Sequence, residues 1–189
     1  MDYAAATPLD SRVKEIMDEY LSHGGANPSG LYREGRETQK VLDGARKTIA
    51  EFVDAKAGEI VFTSSTTESN NLAILGAARA QRAWGKHVIT TAVEHVSVLN
   101  VFKRLEADGF NVGYLPVDAY GRVSADQIKK SIQSDTTLVS VIFANNEIGT
   151  VNPIKDIGRI VKEAKRGEKG GNGLPYFFTD AAQAAPHVK

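Results

Sequence analysis

Residues 86–117 read KHVITTAVEHVSVLNVFKRLEADGFNVGYLPV, and this stretch decides the fold. It opens with a β-branched run, Lys86–Thr91, and closes with a second apolar run, Phe110–Val117. Both runs are typical of buried strands. Between them, Val96–Ala107 has a helical pattern of apolar residues. A strand, a helix and a strand in this order predict a βαβ crossover between parallel strands.

The same alternation continues on both sides of this unit. Further strands are predicted at Glu59–Thr63, Thr137–Phe143 and Tyr176–Thr179. Further helices are predicted at Arg36–Val53, Glu68–Ala83, Ala125–Ile132 and Ile154–Lys165. We therefore expect an α/β fold whose mostly parallel (mixed) sheet is flanked by helices on both faces. Residues 1–35 are expected to form a short helix within irregular chain, and the glycine-rich stretch 166–175 a surface loop.

Composition excludes several classes of protein. The 189 residues carry 23 basic and 23 acidic side chains, so the net charge is zero, which argues against a nucleic-acid or membrane-surface protein. Because there is no cysteine, a disulfide, a thiolate metal site or a cysteine nucleophile cannot form within these residues. The histidines have no metal-binding spacing, and no metal site is predicted. No secretory signal or membrane-spanning run is recognisable, and we expect a cytoplasmic location.

Polar clusters follow the predicted strands at their carboxyl ends, where open parallel sheets bind ligands. The first cluster, residues 64–71 (SSTTESNN), runs straight into a helix. Its hydroxyls and backbone N–H groups could hold a phosphate, or they could form an ordinary helix cap. The other clusters are Glu94-His95, residues 144–150 (ANNEIGT) and residues 179–183 (TDAAQ). Each of these alone is compatible with turns, caps or salt bridges.

Taken together, the clusters favour a pyridoxal phosphate site. Asp180 could face the pyridinium nitrogen and keep it protonated, which makes the ring an electron sink. His95 could stack on the ring, and Asn146 could hydrogen-bond its phenolic oxygen. The turn at Thr66 and Thr67 could hold the phosphate. Nucleotide motifs of the G-x-G-x-x-G and G-x-x-x-x-G-K-[ST] kinds are absent.

The residues that form these clusters also resemble a known family, the cysteine desulfurases, which are class V aminotransferase-like, fold-type I pyridoxal phosphate enzymes. The similar motifs span the chain in order: residues 2–8 (DYAAATP), 27–29 (NPS), 62–70 (FTSSTTESN), 94–95 (EH), 145–149 (NNEIG) and 179–183 (TDAAQ). The resemblance implies that residues 36–189 form part of a large α/β cofactor-binding domain, with a small C-terminal domain outside the chain, and it implies a homodimer.

The resemblance also implies an activity and site residues. The family converts L-cysteine to L-alanine and passes the sulfur, as an enzyme persulfide, to a scaffold or thiolation partner for uses that include iron–sulfur cluster assembly. By motif, Thr66 and Thr67 would bind the phosphate, and His95 would stack on the ring and assist proton transfer. Asn146 would contact the ring oxygen, with Gln183 beside it, and Asp180 would pair with the ring nitrogen.

Three departures from the family pattern qualify this expectation. Tyr32 stands where members often have histidine, and the 166–175 stretch is longer than usual. The Ser-x-His-Lys motif that supplies the Schiff-base lysine does not occur, and Lys189 lacks its context. We therefore expect the N-terminal portion of a desulfurase, inactive alone. The alternatives are another class V enzyme, such as a selenocysteine lyase or an aminotransferase, and a non-catalytic module or half of a split enzyme.

Overall fold

The computed structural model describes residues 2–4, 6–22, 25–164, 175–185 and 187. The chain divides into two compact units, Met1–Phe62 and Thr63–Lys189. The division into residues 1–35 and 36–189 that the sequence suggested, with a further small domain outside the chain, stays a prediction.

A four-stranded parallel sheet forms the centre of the second unit. Its strands are β1 (His87–Thr91), β2 (Asn111–Leu115), β3 (Thr136–Ser140) and β4 (Tyr176–Phe178). Their order in the sheet is β2-β1-β3-β4. β1 and β3 are buried along their whole length, as expected for central strands that are covered on both faces. The α/β class predicted from the sequence is confirmed, and all four described strands run parallel.

Helices cover both faces of this sheet. The four helices of the unit are α3 (Thr66–Ala80), α4 (Val96–Ala107), α5 (Ala125–Ser131) and α6 (Ile154–Glu163). α3 and α4 pack on one face, where Phe102 and Ile74 are fully buried against Val88 of β1. α5 and α6 pack on the other face, where Ile128 and Ile157 lie in a cluster with β1 and β3 residues. Each strand therefore sends alternate side chains into one of two cores.

The strand order places a topological switch point between β1 and β3. From β1 the chain crosses through α4 to β2 on one side, whereas β3 pairs with the other edge of β1. Connections that leave in opposite directions open a crevice beyond the carboxyl ends of the two strands. The residues that follow β1 and β3 consequently border this crevice, and polar residues that follow the neighbouring strands at the same edge of the sheet can join them in a site.

The first unit contains two helices, α1 (Ser11–Ser22) and α2 (Arg33–Phe52), followed by a short 3-10 helix, Ala57–Glu59. Every residue of α1 is exposed. An apolar groove of about 500 Å³ runs between the two helices and is lined by side chains such as Met17, Leu21 and Val41. At the end of the unit, the guanidinium of Arg46 lies over the Phe62 ring at 5.2 Å.

The strand predicted at Glu59–Thr63 is wrong. Glu59 ends the 3-10 helix, and residues 60–63 form no strand and have no ladder partner in the described part of the chain. Val61 and Phe62 are exposed. The β-branched and aromatic residues give this segment a high strand propensity, but it does not pair with a neighbouring strand. The loop predicted at 166–175 lies outside the described residues except for Pro175. Among the helices that the structure describes, none is long and apolar enough to cross a bilayer.

Candidate functional site

The amino end of α3 is built by two interlocking caps. The Ser65 hydroxyl accepts a hydrogen bond from the Glu68 N–H at 3.2 Å. The Glu68 carboxylate in turn accepts from the backbone N–H and the hydroxyl of Ser64, each at 2.6 Å. These bonds lower the pKa of Glu68, since they favour its charged form. Thr66 and Thr67 are thereby exposed on the first turn, where N–H groups have no acceptor within the helix.

Removing the cap is expected to weaken this turn. Ser65→Ala should lower the free energy of unfolding by about 1 kcal/mol, since it deletes the acceptor of an otherwise unpaired N–H. Urea unfolding checks the loss. The matched control is Ser124→Ala, because Ser124 is the N-cap of α5 but makes no side-chain cap bond. Equal losses in the two variants would show that the Ser65 bond does not stabilise α3.

His95 and Glu94 follow β1 at the switch point. The exposed His95 caps α4, with its Nδ1 atom 3.2 Å from the Ser97 N–H and 2.7 Å from the Ser97 hydroxyl. Glu94, by contrast, is buried. Its Oε1 accepts from the Thr91 hydroxyl at 2.7 Å and from the Ile142 N–H at 2.8 Å, which joins the ends of β1 and β3.

The buried position of Glu94 raises the pKa of its carboxyl group. Burial is the main cause that raises its pKa to about 7, and the nearby Asp180 adds to the rise. The hydrogen bonds from Thr91 and Ile142 act in the opposite direction. Its second oxygen, Oε2, is buried and has no hydrogen-bond partner among the described residues. Glu94 is thus a buried carboxyl that binds a proton readily near neutral pH.

Asp180 is a buried carboxylate at the end of the segment that follows β4. Its backbone oxygen accepts from the Phe143 N–H at 3.0 Å, which ties the segment to β3. One carboxylate oxygen accepts from the Asn70 side-chain amide at 2.9 Å and the other from the Ala182 N–H at 3.1 Å. Among the ion pairs of the described residues, none includes Asp180. A buried carboxylate is expensive without a positive partner, so this position suits a cationic ligand.

The turn after β3 is fixed by Asn145. Its side-chain amide donates to the Val93 carbonyl at 3.0 Å, while its oxygen accepts from the N–H groups of Glu147 and Ile148. Asn146, the residue predicted to contact a ring oxygen, is half-buried in this turn. Gln183 is exposed in the turn 182–185 after Asp180, and it makes no hydrogen bond to another described residue.

The structure joins two of the predicted site residues through two that were not predicted. Asn70 donates both to Asp180 and to the Ser97 hydroxyl, each at 2.9 Å, and Ser97 contacts His95. Asn70 lies one turn after Thr66 on the same helix. The sequence contains a signal for Asn70, because it is a polar residue on the same buried face of α3 as Ile74 and Ala78. Ser97 carries no such signal.

Comparisons with known proteins agree with this architecture. Residues 1–189 match the family model described as aminotransferase class-V. The chain belongs to the class V aminotransferase family. It is 47% identical to a putative cysteine desulfurase IscS 1 of Bacillus subtilis (strain 168), over 97% of this chain and 46% of the relative. It is also 47% identical to the cysteine desulfurase IscS of Methanosarcina thermophila, over 100% of this chain and 44% of the relative.

Solved structures of class V relatives show the same fold. A NifS-like protein superposes with a TM-score of 0.87 at 35% identity, over 95% of this chain and 48% of that protein. SspA, solved in complex with cysteine, also superposes with a TM-score of 0.87, at 41% identity, over 97% of this chain and 50% of that protein. This class V chain spans about half the length of the relatives it matches.

Proposed function

We propose that these residues are the cofactor-binding half of a pyridoxal phosphate-dependent cysteine desulfurase. The observation that carries the proposal is Asp180, a buried carboxylate without a positive partner among the described residues, at the crevice where parallel sheets bind ligands. The names of the similar proteins support the proposed reaction, and the structure of SspA in complex with cysteine supports the proposed substrate.

The residues present fit the cofactor. A protonated pyridine nitrogen is a cation that would form an ion pair with the buried Asp180 carboxylate. The exposed Thr66 and Thr67 on the first turn of α3 suit a phosphate. His95 would stack on the ring, while Asn146 and Gln183 would contact its phenolic oxygen. Pyridoxal phosphate, when bound, supplies an electron-withdrawing ring that stabilises negative charge at the substrate carbon.

The protein's contribution is to bind and orient. Asp180 would hold the proton on the ring nitrogen, because its buried negative charge would make loss of that proton unfavourable. Asn70 fixes the Asp180 carboxylate by a hydrogen bond, and Glu94 locks the ends of β1 and β3 that border the crevice. The sequence contains no cysteine, so the thiol that would take the sulfur comes from outside these residues.

The intact protein tests the proposal directly. Incubated with L-cysteine, pyridoxal phosphate and a reductant, it should form alanine and sulfide in equal amounts, measured by amino-acid analysis and a sulfide assay. Residues 1–189 alone should form neither. Turnover of L-selenocysteine but not of L-cysteine identifies a selenocysteine lyase. Alanine that forms without sulfide, and only when pyruvate is supplied as the amino acceptor, identifies an aminotransferase. Either result in the absence of desulfuration would overturn the proposal.

The remaining assignments belong to the same proposal. A homodimer and a sulfur-acceptor protein follow from the resemblance of the site motifs to the desulfurase family, and a cytoplasmic location stays the expectation from the sequence. Sedimentation of the intact protein checks the dimer, and transfer of labelled sulfur from cysteine to a candidate scaffold checks the acceptor.

A further inference from the structure

The ring of His95 is held by donors on one side. Its Nδ1 atom lies 3.2 Å from the Ser97 backbone N–H, a group that can only donate. The same Nδ1 lies 2.7 Å from the Ser97 hydroxyl, which can donate or accept. Which nitrogen of His95 carries the proton therefore depends on what the hydroxyl does.

Asn70 settles the direction of that hydroxyl. The carboxylate of Asp180 only accepts, so the Asn70 side chain must turn its NH2 group toward it. The other N–H of the same NH2 group points at the Ser97 oxygen at 2.9 Å. The Ser97 oxygen is thus an acceptor from Asn70, and its own hydrogen has one acceptor among the described residues, His95 Nδ1.

We infer that Asn70 and Ser97 are positioning residues that hold His95 in the neutral tautomer with its proton on Nε2. A proton on Nδ1 would leave both the Ser97 N–H and the buried Ser97 O–H without an acceptor. The chain of bonds starts at Asp180, so the carboxylate assigned to the ring nitrogen also fixes the imidazole assigned to the ring face.

The tautomer determines what His95 can do. Its free nitrogen is an N–H donor, suited to a negative group of a bound amino acid such as a carboxylate or a thiolate. To act as a base, His95 would need an unprotonated nitrogen that faces the ligand. In this tautomer the unprotonated nitrogen is Nδ1, which accepts hydrogen bonds from Ser97. Proton abstraction from the substrate therefore falls to another group. The role of His95 as a donor to a bound amino acid rests on the proposed function, whereas the inferred tautomer does not.

The test is nitrogen NMR of the intact protein labelled with 15N-histidine. Two-bond correlations distinguish a protonated from an unprotonated ring nitrogen, and His95→Gln identifies the His95 signals. The expected result is an unprotonated Nδ1 and a protonated Nε2, with a tautomer preference on the order of tenfold or more, given two hydrogen bonds at stake. A protonated Nδ1 in the wild-type protein would overturn the inference.

Two variants show whether Ser97 sets the preference. Ser97→Ala removes the hydroxyl donor and should reduce the preference several-fold, whereas Ser97→Thr keeps the hydroxyl and should preserve it. Asn100→Ala, an exposed change on the same helix, is the control and should have no effect. Equal tautomer ratios in Ser97→Ala and the wild-type protein would refute the positioning role. The expected tautomer in a protein that forms no alanine would refute the proposed function alone.

Discussion

Asp180→Asn in the intact protein is expected to lower kcat for alanine formation from L-cysteine by about 10²–10³-fold, the effect of losing one preorganised electrostatic group. Asparagine has the shape of aspartate but no charge, so it cannot hold a proton on a ring nitrogen. Its single side-chain oxygen can still accept one of the two hydrogen bonds that Asp180 accepts, from Asn70 or from the Ala182 N–H, and the fold should persist. The loss should therefore appear in kcat far more than in stability.

The measurement combines steady-state kinetics with the absorption spectrum of the bound cofactor. Asp156→Asn is the matched control, because Asp156 is an exposed aspartate on the first turn of α6 in the same unit. Urea unfolding of both variants separates lost chemistry from lost folding. Near wild-type kcat in Asp180→Asn, with an unchanged spectrum, would remove Asp180 from the role proposed for it.

The central βαβ unit was predictable from local pattern. Residues 86–117 change from a strand period to a helical period and back, and the structure places β1, α4 and β2 there. The failed strand at Glu59–Thr63 has the same kind of composition as the strands that form. A strand also needs a neighbour, and nothing within a segment's own residues reports whether one is available.

The residues of the candidate site also divide into those that local sequence predicts and those that it does not. His95 and Asp180 were predictable because ligands bind at the carboxyl ends of parallel strands, and both residues follow strands. For Asn70 the sequence indicates only its place on the buried stripe of α3, and for Ser97 it gives no signal, because the hydrogen bonds of Asn70 to Ser97 and to Asp180 join segments that are distant in sequence. The Asn70 amide reaches Asp180 across 110 positions, a separation that only the folded sheet closes. The roles of Thr66, Thr67, Asn146 and Gln183 stay predictions.

Glu94 gives the second large effect. Its pKa is about 7 in the folded protein against about 4.5 for an exposed glutamate, so the folded state binds the proton more tightly than the unfolded state. The stability that this provides is fully present below about pH 4.5 and is lost as the pH rises through 7. A difference of about 2.5 pKa units corresponds to a loss of about 3 kcal/mol.

Glu94→Gln should abolish this dependence. Glutamine stays neutral, and its oxygen can accept from the Thr91 hydroxyl and the Ile142 N–H as Glu94 does. At pH 8 the variant should unfold with a free energy about 2–3 kcal/mol higher than the wild-type protein, and at pH 4.5 the two should be similar. Urea unfolding at both pH values measures this, with Glu163→Gln, an exposed change on α6, as the control.

The same experiment bears on the crevice, because Glu94 and Asp180 are close enough for one charge to affect the other. A neutral Glu94 keeps a second negative charge away from Asp180, so a cationic ring bound as proposed would face only one charged carboxylate. If the wild-type protein loses stability with rising pH and Glu94→Gln does not, the proton on Glu94 is the cause. If both proteins follow the same pH curve, Glu94 is charged in the folded state. Its role would then be limited to the hydrogen bonds by which it joins the ends of β1 and β3.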